Sequence, residues 1–346
     1  MSSRPDNKPP AGLRIPAAFR STGGILLATI LLFVFGGLIA PQSLDSAALS
    51  GMFPFAAVLA VVALGQTLVI QQGGIDLSVP GTISLSGVVV SYFGNGSVPG
   101  NTTLGLALVL AFFAAATAGL VNGLLVSRVR VAPIVATIGM NALLYGVVLK
   151  ISGGTPVAVP DSLVAFANGK VFGLSNLVFL AVAVAAVTVV VVKKTTFGRT
   201  FEAVGANGRA ARAAGVVADR YTLLAYVIAS CLYCLGGVLL AGLMTLPSAF
   251  QGDTYLMPSI ASVVIGGTSL FGGAGNLAAS VVAALFLTQL QQLVLTTGSS
   301  IGAQYLFQGA VIVAGVGIYS VNWKTIAAFF QIFTARTQTI PAGHRD

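Results

Sequence analysis

Cys231 and Cys234 stand three positions apart, a C-x-x-C spacing that in other settings supports redox chemistry or half of a zinc site. Here both lie inside an uncharged apolar run, there is no second cysteine pair, and the single histidine, His344, falls near the C-terminus. Packing is the expected role of the two thiols. Histidine-based catalysis and a His-rich metal site are excluded by the same count, and no metal is expected. A second candidate is Val264-Ile265-Gly266-Gly267-Thr268-Ser269-Leu270-Phe271-Gly272-Gly273-Ala274-Gly275-Asn276. Glycine-rich loops cradle phosphate when they end in Gly-Lys-Ser/Thr and open a helix. No lysine occurs in this one, so it predicts a chain reversal between closely packed helices.

Three further groups have the right chemistry for handling a polar solute or a partner. The first is Gln71-Gln72-Gly73-Gly74-Ile75-Asp76-Leu77-Ser78-Val79-Pro80-Gly81, a single acid between two long apolar runs. An Asp near a membrane centre costs about 2.5–3.5 kcal/mol, so Asp76 must sit at an interface or be used. The Gly pair and Pro80 favour a broken helix, with Asp76 and Ser78 capping free N–H groups where it restarts. A tight interfacial turn and irregular backbone lining a polar cavity both fit this pattern. The second group is the loop 193–220, which carries six basic residues against Glu202 and Asp219. Its alanines, Arg209 and Arg212 favour a short helix that Asn207 starts and Gly215 ends. Short helices there invite a cytoplasmic partner. The third is the set of amides inside apolar runs, Gln66, Asn122, Asn141, Gln289, Gln292, Gln304 and Gln308. Some of these bond between helices and others line a route for a neutral polar solute; Gln66, Asp76, Ser78, Asn141 and Gln292 are the candidates for that route.

The elements that must position these groups follow from composition. Hydrophobic residues make up 56% of the 346 and charged ones only 7%, far below the roughly 25% of a soluble domain. Most of the surface must therefore face membrane lipid, and the net charge of +9 reads as topology, with no nucleic-acid partner. Stretches free of Asp, Glu, Lys and Arg run over 21–44, 46–75, 77–127, 131–149, 171–192, 221–252 and 254–323. A membrane helix needs about 20 apolar residues. By length, 77–127 holds two, broken near Gly94-Asn95-Gly96 and Pro99-Gly100-Asn101. The run 254–323 holds three, broken near Gly272-Gly273-Ala274-Gly275 and Thr297-Gly298-Ser299. The expectation is an all-α polytopic membrane protein with about ten transmembrane helices. With the N-terminus inside, 15 of the 17 basic residues fall on the cytoplasmic side and only Lys150 and Lys170 outside, so both termini are expected to be cytoplasmic. The polar, Pro-rich start and the absence of an A-x-A site predict that the first span is retained. The chain then divides into a cytoplasmic tail 1–20, a membrane domain 21–323 containing the loop 193–220, and a cytoplasmic tail 324–346. Gly119-x-x-x-Gly123 predicts a close helix contact.

Several of these pieces occur together in one known family. Gly65-Gln66-Thr67, Gly73-Gly74-Ile75-Asp76-Leu77-Ser78-Val79, Thr196-Phe197-Gly198-Arg199, Ala203-Val204-Gly205-Ala206-Asn207 and Val264-Ile265-Gly266-Gly267-Thr268-Ser269-Leu270 stand in order over about 50–320. In these the chain resembles the permease subunit of bacterial ABC importers for ribose, xylose, arabinose and galactosides. Pro80 stands where that family usually carries Gly. The resemblance implies the permease fold in the bacterial inner membrane, a second permease chain making a homo- or heterodimer, an ATP-binding subunit, and a periplasmic or lipoprotein solute-binding protein. It places an ATPase-coupling element in 193–220, with Glu202, Gly205 and Gly215 at matching positions and Arg199 and Asn207 in the same loop. No Walker A lysine is present, so the chain is expected to have no ATPase site and no cofactor, ATP being bound by the partner subunit.

The competing reading is a secondary transporter or channel that works without an ATPase. Ion-coupled carriers usually hold ionisable groups within their spans, whereas the acids between 21 and 323 are Asp45, Asp76, Asp161, Glu202, Asp219 and Asp253, most of them in loops. A membrane enzyme is less supported still, because no nucleophile–base pair is visible.

Overall fold

The computed structural model describes residues 17–94, 103–298 and, beyond these, positions 300, 302, 303, 305, 306, 309, 310 and 313. Its helices are α1 (Ala17–Ile39), α2 (Ser46–Gln71), α3 (Val79–Gly94), α4 (Leu104–Leu124), α5 (Pro133–Ser152), α6 (Asp161–Asn168), α7 (Asn176–Lys194), α8 (Thr196–Ala206), α9 (Gly208–Ala213), α10 (Ala218–Met244), α11 (Asp253–Ile265) and α12 (Leu277–Thr296). A two-residue hairpin, β1 (Lys170–Val171) paired with β2 (Leu174–Ser175), lies between α6 and α7. Among the described residues seven helices are long and apolar enough to cross a membrane: α1, α2, α4, α5, α7, α10 and α12.

Two helices expected to be full spans are shorter. α3 has 16 residues and α11 has 13, which at 1.5 Å per residue reach about 24 and 20 Å, less than a hydrocarbon core of about 30 Å. At α3 the helix starts late: α2 stops at Gln71, Gly73 takes φ +75°, and the chain becomes helical again only at Val79. Most of the last helix expected within 254–323, the breaks at 95–101, Gln304, Gln308, His344 and most of both tails lie outside the described residues.

The helices sort by composition of their faces. α10 packs on α2, α3 and α4, and α12 packs on α2 and α1. In the most apolar stretches of α2 and α10, 61% of residues are buried, against 17–28% for α1, α4, α5 and α7. Those outer helices turn large apolar side chains outward, including Leu38, Phe113, Leu143 and Val187. That is the pattern of a bundle bathed in lipid, where helix association depends on close packing of small residues more than on hydrophobic exclusion. The Gly119/Gly123 pair shows it: a Cβ at Gly119 would come within 2.6 Å of the Tyr226 carbonyl, and one at Gly123 within 2.9 Å of Leu223 Cα, both on α10. Cys234 is buried in the same core, and both cysteines are free thiols on α10.

Candidate functional site

At one end of the bundle three backbones meet. α7 ends in Lys193 and Lys194, and the chain turns into α8 through Thr195, whose hydroxyl accepts the Gly198 N–H at 3.2 Å. α8 buries Gly198, Phe201 and Val204 and exposes Arg199, Ala203 and Ala206, an amphipathic helix with one face on the protein. The Phe197 ring bridges Phe201 and Tyr221, with centroids 6.0 and 5.4 Å away. Asn207 caps α9 as expected, its side-chain oxygen accepting the Arg209 and Ala210 N–H groups at 3.1 and 3.0 Å, and Gly215 leaves the helix at φ +84°. The end of α2 is held against this unit: Gln72 donates to the Phe201 carbonyl at 2.8 Å, and a Cβ at Gly205 would stand 2.0 Å from the Gln71 carbonyl oxygen. The glycine-rich 266–276 segment is the third party. It reverses the chain between α11 and α12, as its composition predicts, and its Gly273 N–H donates to the same Gln71 carbonyl at 2.8 Å.

The two acids of this region are both engaged in ion pairs. Glu202 meets Lys193, which also donates to the Gly275 carbonyl at 3.1 Å. Asp219 lies 3.1 Å from Arg130 and 3.5 Å from Arg212. Arg199 and Arg209 make no ion pair among the described residues. Lys193 holds a bridging position here that sequence reasoning did not single out, because nothing in its type distinguishes it from Lys194.

The break between α2 and α3 is a packed joint. Asp76 and Ser78 are fully buried, and one Asp76 oxygen accepts both the Ser78 N–H at 2.8 Å and the Ser78 hydroxyl at 2.6 Å. The Ser78 hydroxyl oxygen in turn accepts from Asn122 of α4 at 3.0 Å. α5 supplies Thr137, which accepts the Leu77 N–H at 3.0 Å, and Asn141, which accepts the Gly81 N–H at 2.8 Å. Each is a free N–H at a helix start finding an oxygen it cannot find within its own turn. Gln66, also fully buried, accepts from the Tyr233 hydroxyl at 2.9 Å and joins α2 to α10. Asp76, Ser78 and Asn141 are therefore brought together around the helix joint, while Gln66 ties α2 to α10. Gln292 is not among them.

Gln292 lies at the other end of α2. There a cavity of about 380 Å³ opens between α2, α10, α11 and α12, lined by Phe55, Leu59, Ser248, Gln251, Thr254, Thr288 and Gln291 among others. A second cavity of about 470 Å³ shares Phe55, Thr288 and Gln291 with it and adds Gln292. α11 begins at this cavity, with Thr254 and Tyr255 on its wall. Its preceding residue Gly252 donates to Ser84 of α3 at 3.1 Å, so the N-terminal parts of the two short helices lie side by side. The linings carry amides, hydroxyls and apolar groups but no charged side chain, which suits an uncharged polar solute. Ser248, Gln251 and Thr254 were not foreseen, because they precede or open a helix that reads in sequence as an ordinary span; Gln291 had a visible signal in its neighbour Gln292. If this wall contacts solute, replacing Gln291 and Gln292 together with Leu lowers uptake several-fold while ATP hydrolysis by the assembled importer persists, a split measured in proteoliposomes.

Comparison with known proteins shows which family the chain resembles. Residues 48–316 match the family described as branched-chain amino acid transport system / permease component. The autoinducer 2 import system permease protein LsrC of Escherichia coli O9:H4 (strain HS) is 32% identical over 266 residues, 77% of each chain. The probable ABC transporter permease protein y4mJ of Sinorhizobium fredii is 31% identical, covering 85% of this chain and 86% of its own. The ribose import permease protein RbsC of Bacillus subtilis is 30% identical, with 85% and 91% covered. No solved structure matches.

Proposed function

The chain belongs to the family of transport-system permease components, and on that premise we propose that it forms the translocation pathway of an ATP-binding-cassette importer for a sugar or similar small polar solute. It is a multi-pass protein of the bacterial inner membrane. The uncharged amide and hydroxyl lining of the cavities supports a neutral solute over a zwitterionic amino acid, which would need a buried charge partner. The relatives named for ribose and autoinducer 2 import point the same way. A separate ATP-binding subunit drives the cycle, a periplasmic or lipoprotein solute-binding protein delivers the cargo, and a second permease chain, identical or not, completes the pathway. The topology we propose has about ten crossings with both termini cytoplasmic, tails at 1–20 and 324–346, and the coupling loop 193–220 inside.

One observation carries the mechanism. α2 runs from the cavity wall at Phe55 to Gln71, where its last carbonyl is gripped by α8 and the 266–276 loop. A push on α8 by an ATPase domain moves α2 as a rigid body and so reshapes the cavity at its other end. Arg199, Glu202, Gly205, Asn207 and Gly215 build the pushed element. Of the five pathway candidates, Gln292 faces solute, Asp76, Ser78 and Asn141 hold the joint that transmits the motion, and Gln66 fixes α2 to α10. The chain itself needs no cofactor.

Reconstitution tests this reading. Proteoliposomes holding the permease with its ATP-binding subunit and solute-binding protein accumulate solute only when ATP is supplied. The permease alone accumulates none. Uphill accumulation by the permease alone would establish the secondary-transporter reading instead.

A further inference from the structure

The 266–276 loop carries a side chain that neither chain reversal nor helix packing needs. Phe271 is 98% exposed, and Leu270 beside it is 37% exposed. The loop that presents them is stiff. Ser269 N–H donates to the Ala274 carbonyl at 3.0 Å, Gly272 N–H to the Ser269 carbonyl at 3.2 Å, and Phe271 N–H to the Ser269 hydroxyl at 3.3 Å. Gly272 and Gly273 take φ +91° and +81°, conformations that favour glycine. Their close neighbours are backbone atoms of the coupling element: a Cβ at Gly272 would lie 2.8 Å from the Gly205 carbonyl oxygen, and one at Gly273 2.8 Å from Ala206 Cα. Phe271 therefore projects from a fixed frame welded to the end of α8, whose exposed face is Arg199, Ala203 and Ala206.

We propose that Phe271 is an apolar anchor for the ATP-binding subunit, so that the docking surface is composite: the 266–276 loop contributes the anchor, and α8–α9 contribute a cationic rim at Arg199 and Arg209. The inference rests on the reading of 193–220 as the ATPase contact and adds its second half. Continuity identifies the occupant, since the loop and α8 form one surface through backbone contacts. Charge gives the partner's chemistry. With Glu202 and Asp219 neutralised within the chain, the charges of α8 and α9 that make no ion pair among the described residues are Arg199 and Arg209, and the matching surface is an apolar pocket edged by carboxylates. A pre-ordered aromatic on a rigid loop loses little conformational freedom on docking, which is the usual property of an interface hot spot.

The test compares the purified full-length permease carrying Phe271→Ala, Phe271→Asp, Gly205→Leu or Phe172→Ala in lipid nanodiscs, titrated with the purified ATP-binding subunit. Phe172 is 97% exposed at the hairpin between α6 and α7 and serves as the control for an exposed aromatic elsewhere. Phe271→Asp weakens binding roughly tenfold or more and Phe271→Ala by less, while Phe172→Ala leaves it unchanged. Wild-type binding by both Phe271 variants, with binding lost in Gly205→Leu, overturns the anchor and leaves the α8 contact standing. Unchanged binding in all of them overturns the docking surface as a whole. A second measurement addresses a lipid occupant: a Phe271→Trp reporter in a Trp323→Phe background is shielded from an aqueous quencher only when the ATP-binding subunit is added. Quenching by brominated lipid that the subunit does not relieve assigns Phe271 to the bilayer and overturns the proposal.

Discussion

Gly205→Leu abolishes solute uptake while leaving the chain in the membrane. The cause is a backbone contact: any Cβ at position 205 would fall 2.0 Å from the Gln71 carbonyl oxygen, and behind that carbonyl stands the Gly273 N–H it accepts. A carbonyl fixed at the end of α2 cannot rotate away like a flexible side chain, so α8 must lift off α2. The rest of the bundle does not depend on this contact, because its core is formed by α2, α3, α4 and α10. The measurement is uptake in cells together with permease content of the membrane fraction and the ATP-binding subunit recovered with it. The expected result is uptake reduced by more than an order of magnitude at normal permease content. Glu202→Lys acts on the same unit more mildly. Glu202 and Lys193 are partly exposed, so their pairing itself contributes less than about 1 kcal/mol, but the substituted ammonium repels Lys193 and withdraws it from the Gly275 carbonyl. Normal uptake and normal subunit recovery in both variants would remove the coupling role from α8.

Asp76→Ala should melt at a clearly lower temperature than the wild type in detergent and transport poorly, whereas Asp76→Asn keeps most of both properties. One Asp76 oxygen accepts two hydrogen bonds from Ser78 at a site with no solvent access. Alanine leaves the Ser78 N–H and hydroxyl without that acceptor in a dry environment, a loss of about 1–3 kcal/mol. Asparagine retains one acceptor oxygen in nearly the same place and so separates the loss of a cap from the loss of a charge. Identical melting and transport in the alanine variant would show that the joint does not depend on the cap.

How much of this could be read from the sequence differs by feature. The helix caps were legible because they are local. Asn207 with Arg209 and Ala210, and Asp76 with the Ser78 N–H, involve neighbours two or three positions apart, whereas the Ser78 hydroxyl, expected as a second cap, donates to Asp76 instead. The close approach at Gly119 and Gly123 was legible as a spacing, although not its partner α10. The half-length helices were harder. Apolar content alone sets the expectation of a span, and α3 and α11 are apolar along their length. What shortens them is the joint at 72–78, where α5 supplies the oxygens for the N–H groups at the start of α3 and Asn122 of α4 donates to the Ser78 hydroxyl, and the segment before Asp253, where Gly252 bonds to Ser84.

The amino-acid order by itself determined the solvent this protein lives in, its mostly helical class and a few local ends, such as the start of α9 at Asn207 and its exit at Gly215. These depend on composition and on interactions within one or two turns. Only the tertiary structure decided that Gln71, Gly205 and Gly273, far apart along the chain, share one contact, that Gln292 faces a cavity while Gln66 is sealed against Tyr233, and that Phe271 stands open beside α8. In lipid every helix presents much the same apolar surface, so which faces meet is settled by shape and by a few buried hydrogen bonds. Neither leaves a periodic signal in a single sequence.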